Sequence, residues 1–318
     1  MKKILVVGDV MLDSYIDVSP VKLSEEAPVI IMKEIKRTKI LGGAGNVAAN
    51  LAALGLDTTL YGVIGEDPEA NKVEELLKQA NITSKLIRVS AWPTIVKRRI
   101  ICNGHQLMRL DRENAIKHDN VTLDFLSGYD LIVVSDYNKS VVTPEIMKEI
   151  KMGKVPILVN GKPDNMFLYS GVDTLIINKK EKKEMLEKLK SIVIPEPTIT
   201  DLAAVLKIKN IIVTYGEDGI CSYTENGITG TSFGFKVSVK DITGAGDVVT
   251  AIVAYCMCSG QTNIQNIIDL ANYGGAIKVQ REKTAVVTLK DIEPELEDPG
   301  VLDYETLVQN FTKEPEDS

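Results

Sequence analysis

Six short runs of nearly unbroken apolar, β-favouring residues constrain this chain most: KILVVGD (3–9), TTLYGVIG (58–65), DLIVVSD (130–136), PILVN (156–160), DTLIIN (173–178) and NIIVTYG (210–216). A strand wet on one face alternates apolar with polar residues, so continuous apolar runs fit strands covered on both faces, as in parallel sheets. Amphipathic stretches of helical spacing lie between them, at about 67–80, 143–152, 179–190 and 199–208. This alternation predicts an α/β layered fold with a mainly parallel central sheet flanked by helices. Two long helices, about 245–259 and 263–279, close it.

Two segments break the alternation. Residues 14–37 and about 85–111 carry Val, Ile and charges at near-alternate positions without a helical period, which predicts strands of a small separate sheet. No repeat or low-complexity linker divides the chain, so one domain is expected over 1–318. Residues 291–318 are acidic and hold prolines at 294, 299 and 315, as expected for a surface excursion and a frayed tail.

Charge and composition narrow the function. A formal charge of -7 repels phosphate backbones, and no basic run with interleaved aromatics offsets it, so nucleic acid is not an expected partner. The longest apolar runs, such as TAIVAYCMC (250–258), fall short of the roughly 20 residues a membrane-spanning helix needs. The N-terminal MKKILVVGD reads as a first strand rather than a leader, and a cytoplasmic protein is expected. Cys102, Cys221, Cys256 and Cys258 include no CxxC pair, and His105 and His118 are the only histidines. Neither a zinc knuckle nor a Ser-His-Asp mechanism is suggested.

The chemistry concentrates in Asp241-Ile242-Thr243-Gly244-Ala245-Gly246-Asp247, between a β-like stretch (FKVSV) and the apolar run VVTAIVAYC. That context is a strand-to-helix turn. Unpaired N–H groups and the positive end of the helix dipole favour an anion there, and small residues admit phosphate oxygens to the backbone. Gly244, Ala245 and Gly246 would form an anion hole. Phosphoryl transfer needs charge stabilisation and a base near the acceptor hydroxyl, and Asp247 in the first turn can be that base. The plainer reading makes Asp247 a helix cap and the glycines a tight turn.

This segment closely resembles the C-terminal signature of the ribokinase/PfkB sugar kinases, in which the last Asp is the catalytic base and the Gly-Ala-Gly backbone binds the transferring phosphate. Leu41-Gly42-Gly43-Ala44-Gly45-Asn46 and the residues after it resemble the family's substrate-side motif, which implies that Gly42 and Gly43 pack against the sugar and Asn46 bonds its hydroxyls. Asn178-Lys179-Lys180-Glu181 is similar to the Asn-x-x-Glu element that organises Mg²⁺ and nucleotide phosphates through water. Thr214 and Gly216, in TYGEDG, resemble the nucleotide-contacting strand end. Thr243 and Asn272 match further nucleotide-side positions. The resemblance implies ATP and Mg²⁺, and leaves a monovalent cation open. It also implies a ribokinase-like three-layer fold whose small sheet is a lid over the sugar and often pairs two copies into a homodimer.

Four further runs resemble one subgroup, the D-glycero-D-manno-heptose-7-phosphate kinases, which phosphorylate the anomeric C1 hydroxyl: GDVMLD (8–13), EAPV (26–29), QLMRLD (106–111) and SDYNK (135–139). This likeness, over about residues 1–290, implies that Asp13 grips sugar hydroxyls and that Asp136 lies on the substrate side. Arg109, Lys139 and Arg98 or Arg99 would receive the 7-phosphate. The chain departs from the subgroup at Asn160-Gly161-Lys162, where Asp-Pro-Lys is usual, and at VSPVKLSEEAPV, where an arginine is typical. The His-x-Gly-His motif of the subgroup's second, nucleotidyltransferase domain is not found in these residues, so only the sugar bisphosphate is expected. Rival readings are a kinase of ribose, fructose, fructose 6-phosphate or a nucleoside, a non-catalytic sugar or nucleotide sensor, and, last, a dinucleotide oxidoreductase.

Overall fold

The computed structural model of this chain describes residues 2–90, 92–113, 127–192 and 194–297. All six apolar runs are strands: Lys3–Gly8 (β1), then, after the lid strands Val10–Leu23 (β2) and Ile30–Gly43 (β3) and the helix Ala44–Ala53 (α1), Asp57–Ile64 (β4). Pro68–Gln79 (α2) leads to Thr83–Arg88 (β5), Ile95–Cys102 (β6), His105–Arg112 (β7) and Leu131–Ser135 (β8). Pro144–Met152 (α3), Ile157–Asn160 (β9), Thr174–Asn178 (β10), Lys179–Ile192 (α4), Ile199–Leu206 (α5) and Asn210–Thr214 (β11) follow. The chain continues through Gly219–Thr224 (β12), Gly227–Phe233 (β13), Ala245–Cys258 (α6), Ile264–Val279 (α7) and Leu289–Glu297 (α8).

The large sheet runs β13-β12-β11-β10-β9-β8-β1-β4-β5, parallel except that β12 pairs antiparallel with both β11 and β13. The six strands of the apolar runs are covered on both faces, as their unbroken apolar character requires. Ile4 and Val6 of β1 pack into one core with α1, α2, α6 and α7, while Leu5 and Val7 pack into the other with α3, α4 and α5. The helices start where polar caps stand: Asp67 before Pro68, Thr143 before Pro144, and a reciprocal Thr198–Asp201 box. No helix among the described residues is long and apolar enough to cross a membrane.

The smaller sheet runs β3-β2-β6-β7. Its strands overrun the expected 14–37 at both ends, but the second segment starts later than expected. Thr83–Arg88 pairs in parallel with β4 as an edge of the large sheet, and the lid resumes only at Ile95. An edge strand is half wet, so its sequence carries the same mixed pattern as a lid strand. FKVSV is not a strand either: residues 234–239 are irregular, and the N–H groups of Lys240 and Asp241 bond the carbonyl of Val279 rather than a sheet neighbour. Part of the expected tail is the helix α8, with Ile292 buried and Asp291 paired to Arg281 at 2.5 Å. Residues 298–318 of that tail lie outside the described residues.

Gly43 joins lid to core. It sits at φ +56, and a Cβ there would collide with the carbonyl oxygen of Asp9, to which the N–H of Ala44 also bonds at 3.0 Å. Gly43→Ala is therefore expected to lower the urea midpoint, costing about 1–3 kcal/mol from the positive φ alone; equilibrium unfolding checks this, and an unchanged midpoint contradicts it.

Candidate active site

The chain leaves β1 for β4 and β5 on one side, then returns to β8 on the other, so the strand order reverses between β1 and β8. Open α/β sheets place ligand crevices beyond the carboxyl ends at such a point. Two buried aspartates stand there and build the loop that follows β8. Asp9 accepts the N–H groups of Tyr137 (2.7 Å), Lys139 (3.0 Å) and Val141 (3.1 Å). Burial, then the neighbouring charge of Asp136, pushes its pKa up to about 6. Asp136 accepts from Tyr169 Oη (2.6 Å), Asn165 Nδ2 (2.8 Å) and the N–H of Asn138 (2.6 Å). Its oxygens are thus committed to the scaffold, and burial raises its pKa.

Asp247 lies in the first turn of α6, after Gly244 at φ +83, and is 3% exposed. A Cβ at Gly244 would press on Asn46 Nδ2, so the two helix starts meet closely. Asn46 Nδ2 donates to Asp247 Oδ2 at 2.7 Å, and Tyr137 Oη donates to Oδ1 at 2.5 Å. Asn50 Nδ2 bonds the Oδ1 of Asn46 at 3.2 Å, which leaves the Asn46 amide nitrogen facing the carboxylate. Burial pushes the pKa of Asp247 up to about 6; the Tyr137 and Asn46 bonds oppose this, Asp13 adds to it, and the charge of Lys162 opposes it. A carboxylate poised near neutrality within a helix N-terminus suits a general base beside an anion site.

The phosphate side is built by neighbouring strand ends. Asn178 and Thr214 are register partners at the ends of β10 and β11. Asn178 and Glu181 cap α4 reciprocally: the Asn178 N–H bonds Glu181 Oε2 (2.8 Å) and the Glu181 N–H bonds Asn178 Oδ1 (2.9 Å). The other carboxylate oxygen of Glu181 takes the Lys162 ammonium. No group of three or more His, Cys, Asp or Glu among the described residues could hold a metal directly. With each Glu181 oxygen already accepting one donor, the pair fits a hydrated hard cation better than a stripped one. Gly216 (φ +66) faces open space, and Thr243 donates its N–H to Asp241 Oδ1 at 2.8 Å. Asn272 spends its amide hydrogens on Ser232 Oγ (3.0 Å) and the Phe233 carbonyl (2.7 Å), tying α7 to β13.

On the lid, register puts Asp13, Lys97 and Asp111 on one face together with Tyr15, Arg99 and Arg109. Asp13, 4% exposed, binds Arg99 Nη1 at 2.5 Å, and a Cβ on Gly42 would strike its free oxygen. Arg109 is half exposed and holds Asp111, while Lys139 holds Glu113 at 2.8 Å. Arg98 turns to Glu69 on the opposite face. Among the described residues, Lys97 has no carboxylate within salt-bridge distance; it lies 5.5 Å from the Tyr137 ring centroid, and burial lowers its pKa. The structure thus brings Asp13, Gly42, Gly43, Asn46, Gly244 and Asp247 together, and leaves Asn272 and Asp136 in scaffold bonds. Sequence reading passed over Lys97 and, within SDYNK, gave Tyr137 no role. The parity of Lys97 with Asp13 would have marked Lys97, but only with the β2–β6 register in hand.

The model of the pfkB family of carbohydrate kinases matches residues 1–291. The chain belongs to that family. It is a sugar kinase, a phosphotransferase with a sugar hydroxyl as acceptor. Among curated pfkB relatives, the bifunctional protein HldE of Campylobacter jejuni is 34% identical over 309 residues, covering 92% of this chain and 64% of that protein. HldE of Campylobacter fetus is 34% identical over 312 residues, covering 92% and 66%. The chain spans less than two thirds of the length of both. Among solved structures, phosphofructokinase-2 from Escherichia coli has a TM-score of 0.75 at 16% identity, covering 92% of this chain and 98% of that one. Ribokinase from Thermotoga maritima has 0.70 at 22%, covering 94% and 100%. These two share the pfkB fold.

The carboxylate environments are directly measurable. In ¹³C-aspartate-labelled protein, Asp9 and Asp247 are expected to titrate near pH 6, about two units above an unperturbed aspartate. Asp247→Asn should remove one of these titrations and leave the other; an Asp247 resonance titrating near 4 contradicts the assignment.

Proposed function

We propose that this kinase transfers the γ-phosphate of ATP to the anomeric C1 hydroxyl of D-glycero-D-manno-heptose 7-phosphate, with Asp247 as general base. The observation that carries the reading is the buried Asp247, held by Asn46 at the start of α6 and opposite the lid residue Asp13. The likeness of GDVMLD, EAPV, QLMRLD and SDYNK to the heptose 7-phosphate kinases supports the substrate, as does the identity to HldE. On the lid face Lys97, with no carboxylate within salt-bridge distance among the described residues, supplies the positive charge that a phosphorylated sugar calls for, beside Arg99 and Arg109, which are paired to Asp13 and Asp111.

In this mechanism the sugar lies between the lid and Gly42-Gly43. The C1 oxygen attacks the γ-phosphorus, the bond from that phosphorus to the ADP oxygen breaks, and the hydroxyl proton passes to Asp247. The first-turn N–H groups of α6 stabilise charge on the transferring phosphoryl group. Asn178 and Glu181 would hold a hydrated Mg²⁺, which neutralises phosphate charge when bound. The lid excludes water and so limits idle ATP hydrolysis. We place the reaction in the cytoplasm. The lid exposes the apolar side chains of Val21, Leu23, Ile35, Met108 and Leu110, which suits a homodimer.

ATP consumption with heptose 7-phosphate, fructose, fructose 6-phosphate, ribose and adenosine, with the product phosphate located by NMR, tests the assignment. Anomeric phosphorylation of the heptose phosphate is expected; turnover of another sugar alone retains the family and removes the substrate, and ATP binding without turnover favours a sensor. Asp247→Asn should lower kcat at least about 100-fold with ATP binding kept. For the wild type, kcat/KM should rise with pH through about 6, as Asp247 ionises, and then level. Light scattering should report a dimer that Ile35→Glu weakens; a monomeric wild type contradicts the pairing.

A further inference from the structure

Tyr137 follows β8 in the loop anchored on Asp9, and neither the family reading nor the proposed mechanism uses it. Its position is specified three ways. Its backbone N–H bonds Asp9 Oδ2 at 2.7 Å. Its ring lies near two ammonium groups, Lys97 of the lid strand β6 with Nζ 5.5 Å from the centroid and Lys162 after β9 with Nζ 5.4 Å away. Its hydroxyl donates to Asp247 Oδ1 at 2.5 Å. The first two contacts fix the loop and the ring without any help from the hydroxyl, because Asp9 also takes the N–H groups of Lys139 and Val141. The hydroxyl is therefore surplus to the scaffold, and its one bond goes to the base.

Two donors, one on each oxygen, determine how the Asp247 carboxylate lies and leave each oxygen further lone pairs for an incoming hydroxyl. A donor to a carboxylate favours its charged form, which burial opposes. Burial, followed by the charge of Asp247, pushes the Tyr137 phenol well above the usual tyrosine range, so it remains a donor and does not compete for the proton. The two ammonium groups near the ring interact with the same π system. Resting on the proposed function, we infer that Tyr137 is a positioning residue of the kinase reaction, whose hydroxyl orients the Asp247 carboxylate and keeps it ionised for the acceptor proton.

The charged and titratable groups around Asp247 are Asp13 from β2, Lys162 after β9, Tyr137 after β8 and Lys278 from α7. Tyr137→Phe changes one of these and leaves the ring beside the two ammoniums. In the full chain, with the sugar that the wild type turns over, the acid limb of kcat/KM should move up by about one pH unit, a loss of about tenfold at pH 5 that shrinks as pH rises. The KM for ATP should stay unchanged. A loss equal at every pH, or no loss, overturns the inference. The same variant in the ¹³C-aspartate titration should show Asp247 titrating higher with Asp9 unmoved. That measurement needs no substrate, so it decides the role of Tyr137 even where the heptose assignment fails; an unmoved Asp247 titration overturns the inference whatever the sugar.

Discussion

The rest of the site depends on how a carboxylate can be buried where two helices begin. Asp247 is sealed from solvent, and an ionised group so placed is costly unless donors meet it. Asn46 supplies one across 201 residues of sequence, from the first turn of α1 to the first turn of α6. That bond forces both helix starts to one point, and the glycines before them follow from it. Gly43 turns over the carbonyl of Asp9, and Gly244 admits the Asn46 amide where a side chain would not fit. A positive helix end, a base and the junction of lid and core therefore meet around one hydrogen bond.

Much of this could be read before the structure. The six apolar runs became strands because burial on both faces demands continuous apolar residues. The helix start around Gly244-Ala245-Gly246 was visible because small residues followed by an apolar run have few other uses. Other parts were not legible. Thr83–Arg88 looked like lid because an edge strand and a lid strand are both half wet, and parallel pairing to β4 cannot be seen in six residues. FKVSV has β propensity, yet the backbone after it bonds the end of α7 instead.

The charges were harder still. Arg99, Arg109 and Lys139 read as free cations for a phosphate, but each already holds a carboxylate: Asp13, Asp111 and Glu113. Which cation keeps no such partner depends on strand register and loop path, which single residues do not encode. Asp136 was expected on the substrate side with Asp13, and only its donors reveal that it holds a loop in place. Residues in such loops are chosen by three-dimensional demands with no periodic signature.

The lid strands β2 and β6 are direct parallel neighbours, although β4, α2 and β5 are inserted between them in the chain. Contacts so distant in sequence close late, since long loops must be ordered before they are rewarded. Within the small sheet β2–β3 and β6–β7 are local hairpins, but the β2–β6 seam that joins them has no local nucleus and closes across the whole inserted segment. A substitution deep in the core that slackens β1 or β4 will be felt first as a mis-seated cover rather than as unfolding. In such a protein, loss of coupling between sugar and ATP would precede loss of structure.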